Sequence, residues 1–120
     1  MKFDDVTKTL LMEFPLFSVA DEDDLELQYV VAGLFTDYIL RAYQAGDKDT
    51  YNRGLKFIEK LHTDDTHEVR ELATIGYLES IQNTWPKKLI NANVPFNDLG
   101  EQSKIWWVTL NDYWNGLKGR

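Results

Sequence analysis

Apolar residues recur at three- and four-residue intervals along nearly the whole chain, and no stretch alternates apolar with polar residues as a strand would. Val6, Leu10, Leu11 and Phe14 share a face over about 4–14, and Pro15 disfavours helix at the residue before it. A second helix is expected to start at the acidic run "DEDD" (21–24) and to reach about Ala45, where Gly46 supplies a stop. Its stripe of Leu27, Val30, Val31, Leu34, Phe35, Tyr38, Ile39, Ala42 and Tyr43 is wide enough for a central helix.

The third helix opens at "GDKDTY", where Asp47 or Asp49 can cap it, and places Tyr51, Leu55, Ile58 and Leu61 inward and Lys56, Glu59 and Lys60 outward. The fourth covers about 66–83, with Val69, Leu72, Ala73, Gly76 and Ile81 inward and Ile75 and Leu78 widening the stripe. A glycine there costs about 1 kcal/mol of helix stability, so Gly76 predicts a close helix approach. "NTWPKKLINANVPFNDLGEQ" breaks the pattern with Pro86, Pro95, Gly100 and four asparagines, which predicts a connection of roughly 15 residues, or one holding a short helix at 87–92. The last helix spans about 101–116. The expected architecture is all-α: a single domain over residues 1–120, a bundle of about five antiparallel helices with a long irregular connection before the last. No repeat of fixed period argues for a solenoid.

Charge is unevenly placed. The net charge is -7, with nine acids against two bases in residues 1–40 and eleven of each thereafter. Such a field repels nucleic-acid phosphates and anionic lipids and attracts basic proteins. Lys87–Lys88 is too small a patch for nucleic acid. There is no cysteine, which removes thiol catalysis, thiolate zinc sites and disulfides and fits a cytoplasmic home. No apolar run reaches membrane-spanning length, and the first residues carry Asp4, Asp5 and Glu13 rather than an export signal.

"LHTDDTHEVRE" (61–71) gathers both histidines with four acids and is the strongest candidate for a metal or acid–base site. His62 and His67 are five residues apart, whereas two ligands on one helix face need three or four. The turn-like "TDDT" separates them, and the stretch is hydrophilic, so a helix joint is expected. Asp65 would be the N-cap with Glu68 at the capping-box position, and no titration far from normal is expected. The seven glycines are scattered, and Ser18, Ser80 and Ser103 fall in no nucleophile elbow. No catalytic residue, metal or cofactor is therefore expected.

Two contact surfaces remain. One is the acidic segment Asp21, Glu22, Asp23, Asp24 and Glu26. The other is the tryptophan-rich end, with Trp85, Trp107 and Trp114 as anchors, since tryptophan is common at binding hot spots. Gly54–Leu61, the acidic turn, and Val69, Leu72, Ile75, Gly76, Tyr77, Leu78 and Glu79 together resemble a family of small all-helical bacterial immunity proteins of contact-dependent growth inhibition systems. The resemblance covers about residues 50–83. It implies a non-catalytic cytoplasmic protein that binds and neutralises a cognate toxin. The acidic surface would suit a basic toxin. The alternative is a helical adaptor or regulatory module that binds a partner through its last helix.

Overall fold

A computed structural model describes residues 1–88, 90–91 and 93–118, with side chains followed as far as Gly116. These residues are helical nearly throughout, and no strand occurs among them. A 3-10 turn (Phe3–Asp5) runs into α1 (Val6–Glu13). Phe14, at φ -126 and ψ 73, leaves helical space just before Pro15, as the proline ring requires. A second 3-10 turn (Glu22–Glu26) precedes α2 (Gln28–Gln44), and α3 (Lys48–His62) follows. Next come α4 (His67–Glu71), a π turn (Leu72–Leu78) and α5 (Glu79–Thr84), whose junction residues all keep right-handed helical angles, so the three form one continuous rod. A 3-10 turn (Pro86–Lys88), α6 (Asn93–Asp98) and α7 (Glu101–Lys118) complete the chain.

The α2–α3 turn follows from local chemistry. Gly46 takes φ 85, a left-handed angle open to glycine, and the Thr50 N–H donates to Asp47 Oδ1 at 3.1 Å. The expected central helix is α2, which packs against α3, the π turn and α5. Phe35 at its middle meets Phe14 (4.8 Å between centroids), Phe17 (5.3 Å), Phe57 (6.1 Å) and Tyr77 (6.2 Å). Aromatic rings from four segments thus form one core through tilted and edge-to-face contacts. Gly54 and Gly76 mark where helices come closest. A Cβ on Gly54 would lie 2.5 Å from Ile39 Cγ2, and one on Gly76 would lie 3.3 Å from Ala32 Cβ.

Four local expectations change. The acidic run does not start α2: it forms its own 3-10 turn, and α2 begins without a side-chain cap. The Asp65–Glu68 capping box is replaced by Asp64, whose Oδ2 accepts the Thr66 N–H at 2.9 Å and whose Oδ1 pairs with the Met1 amine at 3.1 Å. That Thr66 bond holds the Asp64 carboxyl below its usual range. Ile75 is exposed, because the π turn rotates it away from the core. Between α5 and α7 a helix forms at Asn93–Asp98; of the expected 87–92 helix, residues 89 and 92 lie outside the described set. Asn91 Oδ1 accepts the Asn93 N–H at 2.9 Å to start α6, and Tyr51 donates to Asp98 Oδ2 at 2.9 Å to tie it to α3.

Candidate functional site

The acidic segment projects from the core on its 3-10 turn. Asp21 Oδ1 accepts the Asp23 N–H at 3.0 Å, which fixes the turn, and the carboxylates point outward. Beside it lies a depression of about 370 Å³. It is lined by the apolar Leu16, Phe17, Leu34 and Tyr38 and by the charged Asp21, Asp24, Asp37 and Arg41. Asp37 is paired with Arg41 at 3.0 Å. Leu16 is 86% exposed and Leu34 41%, so the apolar part of this surface is open to solvent. With Arg41 spent on Asp37, the apolar side chains beside Asp21 and Asp24 suit a partner that offers an apolar side chain among bases. They do not suit a metal: among the described residues no histidine and acidic groups converge as a ligand set.

The tryptophans divide differently from the expectation. Trp85 and Trp107 are 1% and 4% exposed, so both are core residues with no surface to offer a partner, which corrects their assignment as anchors. Trp114 is half-buried against the core. The inward stripe of α7 is Ser103, Trp107, Leu110 and Trp114, at spacings of four, three and four. Trp106 and Tyr113 stand outside it, 40% and 60% exposed. They face Ile75 across a groove between α7 and the π turn, of about 430 Å³. The indole N–H groups of Trp85 and Trp114 are buried without a hydrogen-bond partner among the described residues.

His62 is the larger departure. Within "LHTDDTHEVRE" the joint is residues 63–66, and just past it the exposed His67 lies 3.3 Å from Glu71. His62 is buried, and its ring bridges two helices: Nδ1 is 2.8 Å from Ser103 Oγ on α7, and Nε2 is 3.0 Å from Thr74 Oγ1 on the π turn. Ser103 donates its hydroxyl to Glu59 Oε1 at 2.9 Å. That donation leaves the Ser103 oxygen to accept from Nδ1–H, so Nε2 is the bare ring nitrogen facing Thr74, whose hydroxyl also lies 3.3 Å from the Arg70 carbonyl. Burial pushes the His62 pKa down to about 4, against the opposing pull of the Glu59 carboxylate.

Glu59 was expected on a charged outer face. Instead it turns across to α7, where Oε2 accepts the Gln102 N–H at 3.0 Å and Oε1 the Ser103 N–H at 2.8 Å. Its partial burial would raise its pKa, but these two N–H groups and the Ser103 hydroxyl outweigh that and hold it low. A carboxylate supplied by another helix therefore caps α7. The row contains a serine, a histidine and a glutamate, yet its geometry is not that of a nucleophile. Ser103 is fully buried and gives its proton to the carboxylate rather than to a base.

No curated protein and no solved structure matches the chain. A family model matches residues 7–115, so the chain belongs to the DUF7674 family, a domain of unknown function.

Proposed function

We propose that this protein binds a basic protein partner through its acidic N-terminal face and performs no catalysis, and that the partner is a cognate bacterial toxin which it neutralises in the cytoplasm. The observation that carries the reading is the 3-10 turn Glu22–Glu26, whose carboxylates form no ion pair among the described residues and whose Glu22, Asp23 and Glu26 are exposed, beside a depression lined by apolar side chains and carboxylates. The resemblance of residues 50–83 to small helical immunity proteins supports the choice of a toxin. Charge complementarity would speed encounter and make it salt-dependent.

The test pairs the protein with the product of a toxin gene beside its own. Reversing Asp23 and Asp24 to lysine should slow association at least about tenfold at low salt and flatten the salt dependence. An unchanged rate would overturn the electrostatic face, and the lack of any basic partner would overturn the immunity role. A second reading, an adaptor that uses α7, is favoured by the exposure of Trp106 and Tyr113.

A further inference from the structure

We propose that the groove between the π turn and α7 is a binding site for a small organic cation, an ammonium group carried on an apolar body. This stands apart from the acidic face and from any protein partner there. The groove, about 430 Å³, falls in the size range of small-ligand sites. Three of its walls are aromatic: Trp106, Tyr113 and Trp114. Tyr113 and Trp114 meet edge to face at 5.4 Å, an arrangement that leaves ring surface open. The faces of such rings are electron-rich and attract cations, tryptophan most strongly. Ile75 and Leu110 supply the aliphatic surface for the ligand's body.

The sign of the charge follows from the remaining lining residues. Thr74 and Thr109 have their hydroxyls occupied, by His62 and by the Ile105 carbonyl. Glu79, at the start of α5, is the one charged residue among those lining this groove. No hydrogen bond or ion pair engages its carboxylate among the described residues, and it sits beside the aromatic walls. An anion would meet repulsion there, and a neutral apolar molecule would leave the carboxylate partly desolvated for nothing. A cation gains from both carboxylate and rings. The groove continues toward His67, Arg70 and Glu71, but Arg70 is held by the Asp64 carbonyl at 2.7 Å and His67 faces Glu71. Glu71 lines only that neighbouring stretch, and Glu79 is the carboxylate of the aromatic-walled groove, so the ammonium end belongs at Glu79.

Calorimetric titration with 2-phenylethylamine and its neutral isostere 2-phenylethanol tests this on the intact protein. The amine should saturate the site and bind at least about tenfold tighter than the alcohol. Glu79→Gln should bring the two to within about threefold by weakening the amine, while Trp106→Ala should weaken both about fivefold or more. Both side chains reach the surface, so melting temperatures close to wild type should accompany these losses. Equal affinity for amine and alcohol would overturn the proposal, as would an amine affinity indifferent to Glu79→Gln. Absence of saturation by about 10 mM amine would overturn it too.

Discussion

His62 is held neutral between two hydroxyls, and that has a measurable consequence. Its pKa is pushed from 6.5 down to about 4, so between those values the unfolded chain binds a proton that the folded one refuses. Its contribution is complete above pH 6.5 and is lost progressively as pH falls toward 4. Urea unfolding at pH 7.5 and pH 5 should differ by about 2 kcal/mol, and a His62→Gln variant should lose most of that difference. Glu59 acts in a lower window. Its carboxyl is held below 4.5, so its share is present above that value and disappears only as pH drops through the folded pKa. Glu59→Ala should cost about 1–3 kcal/mol at neutral pH, since it uncaps α7 and strips Ser103 of its acceptor. Half of this was legible in the sequence. His62 lies eleven residues, about three turns, along from Tyr51, seven after Leu55 and four after Ile58, so spacing places it inward. Only its polarity argued for the surface. Its partners stand 12 and 41 residues away, and Glu59's stand 43 and 44 away, beyond any local pattern.

Helix pairs depend on their small residues in opposite ways. At Gly54 a Cβ would strike Ile39, a β-branched side chain with little freedom to turn away, so Gly54→Ala should push α2 and α3 apart and cost about 1–3 kcal/mol. At Gly33, inside α2, the nearest atom to a new Cβ is Ser80 Oγ at 3.8 Å, an ordinary contact. Gly33→Ala should therefore stabilise by about 0.5–1 kcal/mol through helix propensity. Thermal melts of the two variants should move in opposite directions. Elements with strong local signals were readable: Pro15, Gly46 and Asp47 each do in the fold what their chemistry predicts. The face of α7 was not. With aromatic residues at 106, 107, 113 and 114, two stripes compete on composition alone. Glu59 decides between them by drawing Ser103 inward, which carries Trp107 in with it and leaves Trp106 out.

The whole molecule has a radius of gyration of 13.8 Å, close to the about 14 Å expected of a compact chain this long. Its charge is layered onto that body rather than built into it. Asp23→Lys with Asp24→Lys should leave urea stability within about 0.5 kcal/mol of wild type, because neither side chain forms an ion pair among the described residues. The acidic imbalance was visible in the sequence; the apolar patch beside it was not, because Leu16 and Phe17 come from the segment before the acidic turn and Leu34 and Tyr38 from α2 after it. The π turn was invisible for a different reason, since nothing in the residue types of Leu72–Leu78 tells a helix to close at five residues rather than four. A single π turn is how a helix absorbs one residue too many when both ends are already committed. Here α4 is pinned to the amino end of the chain and α5 to the core by Ile81. The π turn sits as a blister between those fixed points. Removing Ile75 from the blister should let the rod close into ordinary α-helix with both ends in place. Circular dichroism would report an intact fold, while the groove would lose its wall and its ligand with it.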